Sequence, residues 1–239
     1  MTAARHRIRF DPHVHTGVSP DGQGSVYEVL SYCDDRGLDA VAITDHDTTT
    51  AATQALVAQQ YYDVEVVPGA EISTSDGHLL ALGIETDPPV GRPFTETVTW
   101  VRDRGGIAVV PHPFQRSRHG VGRATITTCD GIEVFNAWAI TGVRNRRAAT
   151  FAQREGYPGL GSSDAHRPDL VGTAHTEVLI EGALSVETIL EAIAAGRCWP
   201  TGRSARAREY LRKSVGNVTR WTRSAHRSLD RLSRRLRLD

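Results

Sequence analysis

The residues of this chain best suited to chemistry are histidines and carboxylates placed where short apolar runs end. His13-Val14-His15, His46 after Thr44-Asp45, His78, His112 between two prolines, and His166 beside Asp164 all stand at or just beyond such runs. Asp21, Glu71 and Asp164 occur in similar settings. Imidazole nitrogen and carboxylate oxygen are ligands for divalent ions such as Mn, Fe or Zn. In an extended strand, residues two apart point to the same side, so the rings of His13 and His15 can face one ion. Other chemistries fit less well. Cys33, Cys129 and Cys198 are far apart and offer no CxxC thiolate site. Gly22 and Gly24 lie in no GxxxxGK[ST] phosphate loop. Ser162-Ser163-Asp164-Ala165-His166 holds serine, aspartate and histidine together, but without a nucleophile elbow such closeness is no sign of a triad.

The elements that must position these residues read as strands alternating with helices. Strands are expected at Ile8-Arg9-Phe10, 40–43, 64–67, 78–82, 107–110, 131–135, 160–163 and 173–179, with helices over 26–36, 49–60, 94–104, 145–153 and 186–195. About seven or eight such units are too many for half a Rossmann fold. They predict a barrel-like α/β fold, in which active groups collect at the C-terminal ends of the strands.

Five ordered motifs then carry a resemblance: Asp11-Pro12-His13-Val14-His15-Thr16 with Ser19 to Gly22, Ile43-Thr44-Asp45-His46, Gly69-Ala70-Glu71, Pro111-His112-Pro113 and Ser163-Asp164-Ala165-His166. Together, over residues of about 8 to 200, they resemble the polymerase and histidinol phosphatase (PHP) superfamily. The resemblance implies a distorted (β/α)7 TIM-like barrel holding two or three divalent ions. One ion would take His13, His15, Glu71 and Asp164. A second would share Glu71 and add His78 and His112, and a third would use Asp21, His46 and His166. Pro20 lengthens the loop before Asp21 by one residue relative to the family pattern, so a two-metal site is the alternative. In such sites a metal-activated hydroxide attacks phosphorus, with Glu71 and Asp164 holding the cations that carry the reaction. Asp11 and Asp45 are expected to orient histidines rather than bind metal. Arg116, four residues beyond His112, is the expected phosphate clamp, with Arg118, Arg123, Arg144, Arg146 and Arg167 also within possible reach. His119 is the candidate proton donor to the leaving oxygen, and Asn136 a candidate for positioning substrate.

The 239 residues, 39% hydrophobic and 23% charged, suffice for one substantial core. The 28 basic and 28 acidic residues are unevenly divided. From 204 to 239 eleven basic residues face three acids, a net of +8, which leaves −8 over 1–203. A catalytic barrel over 1–203 and a basic amphipathic helical tail over 204–239 are therefore expected. The tail would serve self-association or peripheral contact with anionic lipid, whereas the acidic body disfavours nucleic acid as partner. The N-terminus lacks the apolar stretch of a signal peptide, no transmembrane segment is expected, and the separated cysteines suit a reducing cytoplasm. The function expected is hydrolysis of a small phosphorylated substrate, a nucleotide or another phosphomonoester. The alternatives are a metal-dependent hydrolase of non-phosphate esters and an inactive, metal-stabilised interaction protein that uses the tail.

Overall fold

Ala40-Val41-Ala42-Ile43 and Ile107-Ala108-Val109-Val110 are apolar on both faces and buried throughout. Such runs suit strands with helices outside and a filled barrel inside. The computed structural model describes residues 4–139 and 142–204, so the tail helix expected from sequence lies outside the described residues. In chain order the elements are β1 (Arg5–Val14), α1 (Val26–Arg36), β2 (Ala40–Ile43), α2 (Thr50–Ala58), β3 (Glu65–Thr74), β4 (Gly77–Leu82), α3 (Phe94–Arg102), β5 (Ile107–Val110), β6 (Gly131–Asn136), α4 (Gly142–Glu155), β7 (Gly159–Ser162), β8 (Ala174–Glu181), α5 (Val186–Ala194) and β9 (Cys198–Gly202).

Helix ends follow local chemistry. Ser25 and Glu28 close a reciprocal capping box at the start of α1, and Gly37, at φ 61°, ends it in the left-handed conformation. Ser185 and Thr188 cap α5 in the same reciprocal manner. The buried face of α2 is Ala51, Ala52, Ala55 and Ala58, small enough to bring the helix close to the sheet.

The sheet departs from seven strand–helix repeats. Among the described residues its nine strands run in the order β7-β6-β5-β4-β3-β2-β1-β8-β9. Parallel pairs β1/β2, β2/β3, β5/β6 and β6/β7 are joined by antiparallel pairs β3/β4, β4/β5, β1/β8 and β8/β9. The cause is connection length. Only Ser75 and Asp76 separate Thr74 from its partner Gly77, and a two-residue turn permits only an antiparallel return. The result is a nearly closed mixed barrel with flanking helices. At its seam the Gly161 N–H donates to Thr176 Oγ1, which donates back to the Gly161 carbonyl. A Cβ on Gly161 would lie 2.7 Å from the His175 carbonyl oxygen, so only glycine lets β7 approach this closely.

Strand alternation sorts the core. Phe10, Val67, Leu80, Leu82, Val109 and Leu160 join one buried cluster with α5. Ile72, Leu79, Ala81, Val110, Ile132 and Val134 join a second with α3 and α4. On β3, β4 and β6 this parity leaves Glu71, His78 and Glu133 on the first cluster's side, toward the barrel interior. In β1 the register slips by one residue between Asp11 and Val14. Ile8 and Phe10 therefore face inward before the bulge and His13 after it, as expected when one extra residue re-aims a strand. Among the described residues no helix is long and apolar enough to cross a membrane.

Candidate metal centre

The inward parity of β1, β3, β4 and β6 delivers polar side chains to one end of the barrel, where the segments after β2, β5 and β7 add theirs. His13, His15, Glu71, His112, Asp164 and His166 are buried, and Asp21, His46 and His78 are partly so. All nine residues expected from sequence meet here. Glu71 stands at the middle. Its Oε2 lies 3.3 Å from His13 Nε2, 3.2 Å from His15 Nε2 and 3.4 Å from His46 Nδ1. Its Oε1 lies 2.8 Å from His78 Nδ1 and 2.9 Å from His112 Nε2. Three overlapping sets bring ligand atoms within 4.8 Å of one another: His15, Asp21, His46 and His166; His13, His15 and Asp164; and His46, Glu71 and His78. Asp21 does reach inward past Pro20, with Oδ2 2.8 Å from His166 Nε2.

The hydrogen bonds behind two of the rings fix their tautomers. His166 Nδ1 lies 2.8 Å from the Asp164 carbonyl, an acceptor only, and so carries the proton. His13 Nδ1 faces Glu133 Oε1 at 3.0 Å and likewise donates. His15 Nδ1 lies 3.1 Å from Ser19 Oγ, a hydroxyl that can donate or accept. In the neutral forms of His13 and His166 the Nε2 lone pairs then point at carboxylate oxygens of Glu71, Asp164 and Asp21. Lone pairs aimed at anions repel unless cations lie between, and this donor set fits divalent metal. Among the described residues Asp21 Oδ1 and His112 Nδ1 are buried without a hydrogen-bond partner, which adds to the same case.

The carboxylates call for positive charge. Burial alone would raise the Glu71 carboxyl, but a positively charged His13 and bonds from His112, His13 and His15 outweigh it and hold the group well below its usual range, a cationic role that a divalent ion would take over with the rings neutral. Burial and the nearby Arg118 hold the His112 imidazole below its usual value, in the neutral form that binds metal. His112 and Asp164 sit at φ 30° and φ 49°, left-handed conformations that non-glycine residues adopt at a cost of about 1–3 kcal/mol each. The His112 N–H bond to Glu133 Oε2, at 2.6 Å, helps to hold the first.

Other expected residues fall elsewhere. Arg116 and His119 are exposed in the loop after β5. The His119 ring stacks on His78 with centroids 5.1 Å apart. Arg118, in the same loop, is the guanidinium that enters the centre, donating to Asp164 Oδ2 and, at 3.2 Å, to Asn136 Oδ1. Asn136 itself is fully engaged, donating to Glu133 Oε2 and Asp164 Oδ2 at 2.8 Å each. It positions these two carboxylates. Asp45 accepts from the Thr16 and Ser19 amides, and Asp11 from the Ser163 and Gly172 amides. Both shape the loops that carry ligands, whereas the carboxylate that orients His13 is Glu133, which the sequence reading passed over. Its signal was a lone acid inside the apolar run Ile132-Glu133-Val134-Phe135.

Comparison with known proteins bears on this geometry. The PHP domain family model matches residues 11–122, and the PHP-associated model matches residues 142–198. An uncharacterized protein of Methanocaldococcus jannaschii is 32% identical over 152 residues, spanning 59% of this chain and 89% of that protein. The phosphoribosyl 1,2-cyclic phosphate 1,2-diphosphodiesterase of Eggerthella lenta is 38% identical over 85 residues, 33% of this chain and 32% of that enzyme. A solved two-domain protein of Bacteroides vulgatus, containing a predicted PHP-like metal-dependent phosphoesterase, superposes with a TM-score of 0.72 at 18% identity, covering 83% of this chain and 66% of that one. With two matched models, and a relative at 32% identity spanned over 89% of its length, the chain belongs to the PHP domain family.

Proposed function

We propose that the protein is a metal-dependent phosphoesterase acting on a small phosphorylated substrate, a nucleotide or another phosphomonoester, with two or three Mn, Fe or Zn ions. The observation that carries this is the pair of histidines, His13 and His166, whose Nδ1–H groups are tied back, turning their Nε2 lone pairs toward Glu71, Asp164 and Asp21. His13, His15, Glu71 and Asp164 would hold one ion, Glu71 with His78 and His112 a second, and Asp21, His46 and His166 a third. Bound divalent cations supply charge for the phosphoryl oxygens and lower the pKa of water toward neutrality.

The chain's own residues do the rest. Glu133 and the Asp164 carbonyl keep protons on the far nitrogens of His13 and His166. Arg118, braced by Asn136 and Asp164, holds a permanent positive charge beside the carboxylates and attracts the anionic end of a substrate. His119, exposed against His78, would hand a proton to a leaving oxygen, and it lines with Arg116 a cavity of about 460 Å3. The 38% identity over 85 residues to a cyclic-phosphate diphosphodiesterase supports phosphorus over other ester centres. A cytoplasmic location suits the three buried, unpaired cysteines. The test is turnover of phosphomonoesters and of carboxylic esters by Mn-, Fe- and Zn-loaded protein. Phosphate release abolished by chelation supports the proposal; cleavage of carboxylic esters alone overturns it.

A further inference from the structure

Several arginines left unused by the metal centre gather on one wall. Arg123, Arg146, Arg147 and Arg154 surround a cavity of about 360 Å3 that also takes in Phe114 and Phe151. A neighbouring cavity of about 520 Å3 shares Phe114, Arg123 and Arg147 with it and adds Arg116 and Asp76. That cavity shares Arg116, Asp76 and Gly120 with the one lined by His78 and His119. The shared walls line the three cavities up as a trench of adjoining pockets from a candidate ligand, His78, to the outer face of α4.

The charge in this trench is unbalanced. Among the described residues, Arg123 is the one of these five arginines within the trench that has an ion-pair partner, Glu155 at 3.5 Å. The trench acid Asp76 is engaged by the Phe94 amide and the Ser75 hydroxyl. A merely solvated helix face mixes acids with bases at helical spacing, whereas α4 carries four arginines and the single acid Glu155. Arg123 lies over the Phe151 ring at 5.3 Å and Arg147 over Phe114 at 5.8 Å. Ring contact holds each guanidinium by its face and leaves its edge donors for an anion. The cavity walls are thus cationic at the rim and aromatic beneath.

We propose that this trench is a second anion-binding subsite, taking the remote phosphate of an extended phosphate ester in which two phosphates are joined through a ring-bearing body. The reacting end rests on the phosphoesterase reading above; binding in the trench does not. The probes are thymidine 5′-monophosphate and 5′-phosphorylated trithymidylate, with affinity measured by calorimetry on metal-loaded protein and phosphate release followed in parallel. The trinucleotide should bind at least about tenfold tighter than the mononucleotide, with a preference that fades as salt rises. The exposed Arg123→Gln/Arg147→Gln/Arg154→Gln variant, and separately Arg154→Glu, should lose that preference and keep mononucleotide turnover. Equal affinity of the wild type for both probes, or a preference that survives in the triple variant, overturns the subsite. Arginine-dependent binding of the trinucleotide with no phosphate release from either probe would leave the subsite standing and refute the phosphoesterase reading.

Discussion

Replacing Glu133 by glutamine tests the idea that a tautomer, set from behind, makes His13 a ligand. Four donors converge on this carboxylate: His13 Nδ1 and the Ser162 hydroxyl on Oε1, the His112 amide and Asn136 Nδ2 on Oε2. A glutamine must turn its NH2 toward one of these pairs. The His112 amide is backbone and cannot reverse, whereas the Ser162 hydroxyl can rotate and His13 can move its proton to Nε2. The NH2 therefore replaces Oε1, the fold keeps its hydrogen bonds, and His13 presents a proton where Glu71 and Asp164 expect a cation. Loss of such an orienting partner weakens metal binding by about 10- to 100-fold, or about 1.4–2.8 kcal/mol. Stability should change by less, within about 1–2 kcal/mol, because every donor is re-paired. Competition with a chromophoric chelator reads the affinity and thermal unfolding reads the stability. Unchanged affinity would refute the tautomer argument; loss of metal only through loss of the fold would reduce Glu133 to a structural role.

Three further outcomes are expected. Asp21→Asn, at the carboxylate facing His166, should lower metal stoichiometry by one ion and leave the rest bound, as read by elemental analysis. Arg118→Ala should lower kcat/KM for a phosphomonoester by about 10²- to 10³-fold with metal content unchanged, the scale of one lost charge-stabilising donor; Arg118→Lys should recover little, because one ammonium cannot span both Asp164 and Asn136. Burial and the adjacent Arg9 hold the His175 imidazole below its usual value. The unfolded chain then binds this proton first as pH falls through about 6.5, so stability present above that pH is lost below it. His175→Gln should flatten this part of the acid limb in a thermal-unfolding pH series.

What the sequence made legible follows from how local each signal is. β2 and β5 occupy the residues expected of them because each is a four-residue apolar run, and α1 does so because Ser25, Glu28 and Gly37 mark both ends. The nine candidate ligands meet because their motifs sit at strand ends, which any barrel brings together. Less local features were hidden. β9 carries Pro200 and exposed side chains, with no alternation to mark it. The bulge in β1 is a pairing property, and nothing in Asp11-Pro12-His13 announces it. A mostly parallel sheet was expected and the resemblance implied seven strand–helix repeats, whereas the two-residue Ser75-Asp76 turn makes β3 and β4 an antiparallel pair. Arg116 was preferred over Arg118 by distance along the chain, but a tight 3-10 turn over 116–118 exposes the first and sends the second inward. Glu133 was invisible as an orienting group because its partner His13 lies 120 residues away.

The most direct test of the central claim is the metal content of gently purified protein, measured by elemental analysis before and after exposure to excess Mn, Fe or Zn. The account predicts two or three divalent ions per chain, falling on Glu71→Gln because Glu71 reaches the histidines on both sides of the centre. No bound metal under any loading, with His13, His15 and His166 protonated on both nitrogens by NMR, would contradict it.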